Sequence, residues 1–569
     1  MALFVMLGMA FTAMMARLVV LQTIESPAYA RLAERQRERV IPLPAERGAI
    51  LDRDGRALAI SVDYQMMYAD PANVTRPRSE AEKIARVLGA RYKDVLEALQ
   101  GRREGSRFEY VARAVPPKLA NEVRRLDLPG IYMKDEPKRV YPGGRLASHV
   151  LGFINSDGSV ATGLELQYGD VLEGVPGEMR LEEDPLGHPL PQAQFSYDPP
   201  KPGTSIFLTI DKEIQYYTEL TLKEAVSRYH AKSGTAIVMR PRSGEIVAMA
   251  NVPDFDPNRF SESSEVALRN RAVTDVYEPG SAFKIVPVAA ALETGAVTPR
   301  TVFVVPDQKQ FADRVIHDAE LHPTEPMTVK QIVQMSSNVG TVEVALKLGG
   351  ARLQEYIKRF GFGEKSGLDF PGESPGIVLR RRHWSGSTIA NLPIGQGIAV
   401  TPLQLLCAYA TLANQGVWVE PKLLSGTMGA DGRMRPSPAP ARRRVLSDET
   451  SRQMTGILQS VVRGGTGVLA RIPGYDVAGK TGTAQIPANG HYTSRYMATF
   501  TGFAPARNPQ LVAIVVLENP YPIWGGSSAA PTFKKIMEFS LRHLSVPPSH
   551  NAARDARRLE EAGAGAGHD

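Results

Sequence analysis

The first 24 residues of the chain form an almost unbroken apolar run, interrupted only at Thr12, Arg17, Gln22 and Thr23. A helix of this length spans the hydrocarbon core of a bilayer. Arg17 lies far enough towards one end of the run for its guanidinium group to reach the polar interface. The pattern therefore predicts a transmembrane anchor over residues 1–24.

A cleaved signal peptide is the alternative interpretation, because Ala28-Tyr29-Ala30 has the small-x-small form of a cleavage site. The apolar run is longer than the core of a signal peptide, and no basic residue precedes it. The length favours the anchor. The missing charge means that the positive-inside rule gives this helix no orientation.

Short strand patterns and a few helical patterns alternate over residues 25–200, without a long-period repeat. VIPLP predicts a strand, RGAILDRDGRALAIS predicts a hairpin that turns at Asp54-Gly55, and SEAEKIARVLG predicts a helix. These patterns predict an irregular α+β module. It ends at DPPKPGTS, whose prolines and glycine predict a stiff linker.

Longer apolar strands and helices follow over residues 201–548. TIDKEIQYYTELTLKEAVSRYH predicts a helix capped by Asp211, and the strands TAIVM and EIVAMA come next. The strands MATFTGFAP and LVAIVVLE and a helix over residues 528–544 close the region. Strand pairs at both ends with helices between them predict an α+β domain with an antiparallel sheet faced by helices. The composition of residues 549–569 predicts a flexible tail.

The net charge of +7 would suit nucleic acid or an anionic membrane surface as a partner. The arginine clusters at 380–382 and 442–444 lack interleaved aromatic residues, so we predict no nucleic-acid partner. Cys407, the single cysteine, lies in an apolar helical pattern and can form no internal disulfide. The ten histidines show no metal-ligand spacing, so we predict no metal site and no cofactor.

Ser281 and Lys284 form an S-x-x-K motif at the start of the apolar helical pattern in YEPGSAFKIVPVAAALETG. Their spacing places both side chains on one helical face. A helix start offers free N–H groups for an oxyanion, and a neutral lysine can act as the base of a serine nucleophile. The pKa of Lys284 must then fall, through burial or through a neighbouring cation such as Lys480. A simple helix cap is the alternative role for Ser281.

A second short motif, Ser336-Ser337-Asn338, lies at the start of another helical pattern. Taken alone, its serines are typical helix caps. The S-x-N spacing has a chemical meaning only if the fold brings it next to the S-x-x-K motif.

The third motif is Lys480-Thr481-Gly482-Thr483, on a predicted strand. Alternation places Lys480 and Gly482 on one face and the two threonines on the other, unless the strand bulges. Such a strand can pair with an extended peptide, while threonine hydroxyls and a lysine can hold a carboxylate.

The segment GYDVAGKT, which begins at Gly474 and overlaps the third motif, also matches the phosphate-binding pattern G-x-x-x-x-G-K-[ST]. That loop needs a strand before it and a helix after it. The flanks RGGTGVLARIP and TGTAQIPANG provide neither, although LVAIVVLE would suit the acidic strand of such a site. We therefore interpret the match as accidental.

The order S-x-x-K, S-x-N, K-T-G within one domain resembles that of penicillin-binding proteins and β-lactamases. RGAILDRDGRALA, RVYPGGRLASHVLGFIN and TGLELQYGDVLEGVPG resemble pedestal motifs, and RPRSGEIVAMANVPDFDPN and IGQGIAVTPLQL resemble catalytic-domain signatures. Over nearly its whole length the chain resembles a class B penicillin-binding protein, a peptidoglycan D,D-transpeptidase. NRAVTDVYEPGSAFK is closer to the division-specific branch than to the elongation branch, where a second proline usually replaces the glutamate of EPGS.

The resemblance implies that Ser281 attacks the D-Ala-D-Ala carbonyl of a stem peptide and that Lys284 takes its proton. Ser336 and Asn338 would relay protons and hold the substrate amide, and Lys480 would support the electrostatics. D-Ala leaves an acyl-enzyme, which the amine of a neighbouring strand resolves into a crosslink. β-Lactams would inhibit by acylating the same serine and leaving slowly.

The resemblance also implies that Thr481 and Thr483 bind the terminal carboxylate and that Gly482 belongs to the substrate-binding residues. It implies further that the N–H groups of Ser281 and Thr483 form the oxyanion hole. The implied partners are lipid II-derived strands, a membrane glycosyltransferase of the SEDS family and other divisome proteins. The implied location is the cytoplasmic membrane, with a single span and an extracytoplasmic catalytic domain.

Three alternatives to a division transpeptidase remain at this point: an elongation-type transpeptidase, a β-lactamase and a non-enzymatic regulator of a SEDS glycosyltransferase. No Glu-x-x-x-Asn element of the class A β-lactamase kind lies between Asn338 and Lys480. The complete motif set disfavours vestigial chemistry. In the pedestal, we expect a salt-bridged fold core rather than a ligand site from Arg47, Asp52, Arg53 and Glu165.

Overall fold

The computed structural model describes residues 1–26, 29, 38–102, 106–155, 158–182, 196–488 and 490–549. The predicted flexible tail, apart from Ser549, lies outside the described residues.

The N-terminal apolar run is a helix. It is α-helical over Ala2–Val19 (α1) and continues as a π-helix over Val20–Ile24. By length and composition, Ala2–Ile24 can cross a membrane, and none of its residues is buried in the described chain. Arg17 near its end pairs with Glu25 at 2.8 Å.

The pedestal region contains β1 Glu38–Leu43, β2 Ile50–Leu51, β3 Ala57–Ala69, α2 Pro77–Leu88, α3 Tyr92–Gln100, β4 Glu109–Val115, α4 Pro117–Arg124, β5 Ile131–Val140, α5 Ser148–Leu151, α6 Gly163–Gln167, α7 Gly169–Leu172, β6 Gly177–Glu182, β7 Ser196–Asp198 and β8 Ser205–Leu208.

The C-terminal region contains α8 Lys212–Arg228, β9 Ser233–Met239, β10 Ile246–Val252, α9 Glu265–Leu268, α10 Arg271–Thr274, a 3-10 helix Gly280–Lys284, α11 Ile285–Glu293, β11 Val302–Val305, β12 Gln308–Phe311, β13 Arg314–His317, β14 Glu325–Thr328, α12 Val329–Met335, α13 Asn338–Leu348, α14 Gly350–Arg359, α15 Thr388–Asn391, α16 Pro402–Ala413, β15 Val417–Val419, β16 Leu424–Met428, β17 Met434–Pro436, β18 Arg442–Arg444, α17 Asp448–Gly464, β19 Ala478–Ala488, β20 His491–Ala504, β21 Leu511–Glu518 and α18 Ala529–His543. Further 3-10 turns lie at Pro257–Glu262, Arg381–His383, Leu392–Ile394 and Val468–Ala470.

The C-terminal region is built on a five-stranded antiparallel sheet in the order β10-β9-β21-β20-β19. This confirms the predicted α+β class and the predicted sheet. Asp211 Oδ1 accepts the N–H of Ile214 at 3.2 Å, so the predicted cap of α8 is also confirmed. The strand β19 lies at the edge of the sheet.

Successive side chains of the central strands β9 and β21 enter two different core layers. Val238 lies in the layer with Leu222 of α8 and Phe533 of α18. Its neighbour Ile237 lies in the opposite layer with Leu405 of α16. Because helices cover both faces, these strands appear in the sequence as continuous apolar runs rather than as an alternating pattern.

A second sheet joins the two regions of the chain. Its order is β17-β16-β8-β2-β3-β4, with β5 also paired to β3. The strand β8 pairs in parallel with β2 of the pedestal and antiparallel with β16 of the C-terminal region. The predicted stiff linker is bound to the pedestal before β8 begins, because Lys201 and Val175 exchange two backbone hydrogen bonds of 2.9 Å.

Glu165 is a fully buried carboxylate of the pedestal. Arg47 Nε and Arg139 Nε donate to its two oxygens at 2.8 and 2.7 Å. The predicted salt-bridged core is therefore correct for Arg47 and Glu165, and Arg139 completes it. It is wrong for Asp52 and Arg53: Asp52 Oδ1 closes the β2–β3 turn by accepting backbone N–H groups, and no ion pair joins either residue within the described chain.

Candidate active site

Ser281 lies on the 3-10 helix Gly280–Lys284, which runs directly into α11. The sequence pattern predicted an α-helix here. In a 3-10 helix residues three apart eclipse one another, so Ser281 and Lys284 still share a side of the turn. Ser281 is half-buried, whereas Lys284 is fully buried.

Two hydrogen bonds to distant segments hold this turn in place. Gly280 has φ of 53°, a region that favours glycine, and its N–H donates to Gly395 O at 3.2 Å. The buried hydroxyl of Tyr409 donates to Ala282 O at 2.8 Å. The turn that holds the serine is therefore positioned by two segments far away in the sequence.

Lys284 reaches from the turn to the second motif. Its Nζ donates to Ser336 O at 2.5 Å and to Asn338 Oδ1 at 2.7 Å. Burial lowers the pKa of Lys284 to about 7, while the negative charge of Asp318 raises it. The predicted fall in the pKa of Lys284 therefore comes from desolvation, the first of the two causes considered, rather than from Lys480.

The two serines of the second motif have different surroundings. Ser337 caps α13, since its Oγ accepts the N–H of Gly340 at 2.9 Å. Ser336 has left-handed backbone angles, φ 64° and ψ 33°, at the C-cap of α12. That turn directs its hydroxyl to Lys480 Nζ at 2.9 Å. The capping interpretation thus applies to Ser337 and not to Ser336.

Asn338 is held through its side chain and its backbone. Its Nδ2 donates to His317 O at 2.7 Å, and its N–H donates to Asp318 Oδ1 at 2.5 Å. Asp318 follows the short strand β13, and an acidic residue in that place belongs to no spaced motif that the sequence would reveal.

Lys480 is also fully buried and makes the third contact of the cluster. Besides Ser336 Oγ, its Nζ donates to the carbonyl and the hydroxyl of Thr481, both at 3.2 Å. Burial, and then the charge of Lys284, lower the pKa of Lys480 well below its usual range. Two neighbouring buried lysines cannot both hold a proton easily, so the pair favours a single shared positive charge.

The two threonines of the third motif form hydrogen bonds with segments of the chain to which the side chain of Lys480 does not bond. Thr481 Oγ1 lies 2.7 Å from Thr466 Oγ1, and Thr483 Oγ1 accepts the N–H of Gly525 at 3.1 Å. These contacts follow the predicted alternation of the strand.

Gly482 lies where β19 approaches the 3-10 turn that holds Ser281. A Cβ at this position would stand 2.8 Å from Pro279 O and 3.1 Å from Ala282 Cβ. Lys480 lies within the strand β19, where a phosphate-binding loop would lead into a helix. The phosphate-binding interpretation of this sequence is therefore wrong. The three motifs instead meet at one cleft beside an edge strand.

Two acidic clusters outside the cleft have the spacing of metal ligands. Asp211, Glu213 and His543 form one, and Asp52 and Glu213 belong to the other. Within these clusters Asp211 caps α8 and pairs with His543, and Glu213 pairs with Arg56.

The sequence matches two protein families. It matches the penicillin binding protein transpeptidase domain over residues 234–538 and the penicillin-binding protein dimerisation domain over residues 42–208. It is 35% identical over 556 residues to stage V sporulation protein D of Bacillus subtilis, covering 94% of this chain and 84% of that protein. It is 33% identical over 559 residues to peptidoglycan D,D-transpeptidase FtsI of Escherichia coli, covering 96% of this chain and 91% of that protein.

Solved structures agree with these relatives. Penicillin binding protein 3 from Mycobacterium tuberculosis, crystallised with aztreonam, superposes with a TM-score of 0.71 at 32% identity, covering 90% of this chain and 98% of that one. All three motifs of the cleft fall inside the matched transpeptidase region. The chain therefore belongs to the class B penicillin-binding proteins.

Proposed function

We propose that this protein is a serine-type peptidoglycan D,D-transpeptidase with Ser281 as its nucleophile. The observation that carries the proposal is the meeting of two fully buried lysines, Lys284 and Lys480, at Ser336 beside the turn of Ser281. Buried lysines are rare in proteins, and a desolvated lysine can serve as a base near neutral pH.

In the first step Ser281 Oγ attacks the carbonyl carbon of the penultimate D-Ala, and Lys284 Nζ takes the hydroxyl proton. A pKa of about 7 leaves a large fraction of Lys284 neutral at neutral pH. The N–H groups of Ser281 and Thr483 are the proposed donors to the oxyanion, which desolvated donors stabilise strongly.

As the acyl-enzyme forms, the C–N bond to the terminal D-Ala breaks and D-Ala leaves as an amine, which needs a proton. Ser336 is the proposed route, because its hydroxyl lies within hydrogen-bond reach of both lysines. The amide of Asn338 is the proposed holder of the substrate amide. The amine of a second stem peptide then attacks the ester carbonyl, forms the crosslink and restores the Ser281 hydroxyl.

The edge position of β19 supports binding of an extended peptide along this strand. Thr481 and Thr483 are the proposed ligands of the terminal carboxylate, next to the charge shared by the lysines. Gly482 permits the close approach of the strand to the nucleophile turn. β-Lactams are proposed to acylate the same serine and to leave slowly.

We place the enzyme in septal synthesis, because Glu278 stands where the division-specific branch has its glutamate before Pro-Gly-Ser. The helix Ala2–Ile24 would anchor it in the cytoplasmic membrane with the remainder on the extracytoplasmic side. Its proposed partners are lipid II-derived strands, a SEDS-family glycosyltransferase and other divisome proteins.

Mass spectrometry of the full chain in detergent, after treatment with a labelled penicillin, tests this proposal. We expect one adduct, on the peptide that contains Ser281, and no adduct in folded Ser281→Ala. Ser337→Ala is the matched control, because it removes a helix cap beside the cleft and should label like the unmodified chain. An adduct on Ser336, or labelling that survives in Ser281→Ala, would contradict the assignment.

A further inference from the structure

We propose that Asp318 is a positioning residue for this reaction: its carboxylate fixes Asn338 at the start of α13 and places a negative charge next to the Lys284 ammonium. The inference rests on the proposed function, since it concerns the proton that Lys284 takes from Ser281. It assigns a role to a residue outside the three motifs.

Hydrogen bonds of both its side chain and its backbone hold Asp318 in place. Asp318 Oδ1 accepts the N–H of Asn338 at 2.5 Å and the N–H of Val339 at 2.9 Å. The Asp318 side chain is only 6% exposed, and its own N–H donates to Asp307 O at 2.7 Å. A carboxylate at a helix start also interacts favourably with the helix dipole, so the contact is stable without substrate.

This anchor reaches the catalytic amine through Asn338. The same residue that Asp318 holds by its backbone accepts a hydrogen bond from Lys284 Nζ at 2.7 Å. Lys284 is fully buried, so its ammonium form has no water to stabilise it. Asp318 supplies that stabilisation, since its charge acts on Lys284 to raise the pKa that burial lowers. Without the carboxylate, Lys284 is a weaker base.

The other charged groups near this pair are few among the described residues. The positive charge of Lys284 lowers the pKa of Lys480, so the two lysines disfavour being charged at the same time. His322 Nε2 lies 3.1 Å from Asp318 Oδ2, and Glu325 lies 3.8 Å from the other ring nitrogen. The carbonyl of Pro323 and these two carboxylates raise the pKa of His322. A protonated His322 therefore offsets part of the Asp318 charge.

The test is the pH profile of acylation by a fluorescent penicillin, measured on the full chain in detergent. The acid limb of the unmodified chain should lie near the Lys284 pKa of about 7. In Asp318→Asn, which keeps one acceptor for the helix, we expect the limb to move down by roughly one pH unit. We also expect a lower plateau rate, because a weaker base accepts the proton less well.

Ser337→Ala is the matched control, because it weakens the same helix start without touching the charge. Its limb should stay where it is in the unmodified chain. If Asp318→Asn lowers the rate at all pH values and leaves the limb in place, Asp318 is only structural and the inference is wrong.

His322→Gln gives a second answer that does not depend on the folding of Asp318→Asn. Loss of the imidazolium leaves the Asp318 charge without its offset, so the limb should move up by a few tenths of a pH unit. If Asp318→Asn does not fold, an unmoved limb in His322→Gln overturns the inference. Absence of any Ser281 adduct in the unmodified chain would instead overturn the proposed function.

Discussion

Ser336 holds a backbone conformation that glycine adopts readily and serine does not, with φ 64° and ψ 33°. Such a left-handed residue costs of the order of 1 kcal/mol or more relative to an ordinary one. The strain has a local consequence: it ends α12 and turns the Ser336 hydroxyl to Lys480 Nζ at 2.9 Å. The two buried lysines and the strained backbone of Ser336 are both kept in unfavourable states by their neighbours.

Ser336→Gly should therefore separate stability from activity. Glycine relieves the left-handed strain, so we expect an unchanged or higher free energy of unfolding, by up to about 1 kcal/mol. It also removes the hydroxyl that links the two lysines, so acylation by penicillin should slow by about 10² or more. Thermal unfolding and labelling kinetics measure the two effects. A variant that is clearly less stable, or as fast as the unmodified chain, contradicts this account.

At the scale of elements, the cleft depends on how closely β19 approaches the 3-10 turn that holds Ser281. The strand pairs with β20 on one side only, and Gly482 brings its backbone against Pro279 and Ala282. The turn itself is held from the other side by Gly395. Small changes at this contact would shift the strand relative to Ser281, and misplaced reacting groups lose rate steeply.

Gly482→Ala should push β19 away from the turn, because the new Cβ meets a backbone carbonyl at 2.8 Å. We expect a loss of about 1 to 3 kcal/mol in the free energy of unfolding and a large fall in acylation rate. Gly456→Ala is the control: this exposed residue lies inside α17 with no heavy atom near its Cβ, so alanine should stabilise by about 0.5 to 1 kcal/mol. Equal behaviour of the two variants would show that the close approach has no importance.

At the scale of the whole molecule, the pedestal is joined to the catalytic domain by polar contacts as well as by the shared sheet. Tyr141 and Asn258 exchange two hydrogen bonds of 3.0 Å. The buried carboxylate of Glu219 accepts the N–H of Ala147 at 2.8 Å. Burial raises the pKa of Glu219 to about 7. This joint therefore contains an acid that is costly to ionise.

Glu219→Gln should reveal that cost through its dependence on pH. The folded chain holds the Glu219 proton between the unfolded pKa of 4.5 and about 7, so its stability falls as pH rises through this window. Glutamine keeps the acceptor for Ala147 and carries no charge. The variant should gain up to about 3 kcal/mol over the unmodified chain between pH 5 and pH 8. Unfolding at both pH values measures it, with exposed Glu224→Gln on the same helix as control. A difference independent of pH would contradict the prediction.

The sequence by itself determined the elements and the candidate chemistry, because both depend on neighbours along the chain. Apolar runs with turn signals placed β9, β10, β20 and β21 and the helices α8 and α18 correctly. Capping rules placed Asp211, and three short motifs pointed to the residues that meet in the cleft. Letter patterns suffice for such features, since hydrogen bonding and side-chain direction in a helix or strand repeat with a short period.

Only the tertiary structure decided which side chains are buried together, and with that their charge states. Lys284, Asp318 and Lys480 are far apart in the sequence, and the low pKa of Lys284 exists only because the fold removes water from around it. Asp318 carries no sequence signal for the same reason, since it acts on a partner brought close by the fold. The pairing of Arg139 with Glu165 also depends on the fold. The separate roles of Ser336 and Ser337 likewise follow from a backbone turn that a letter pattern does not encode.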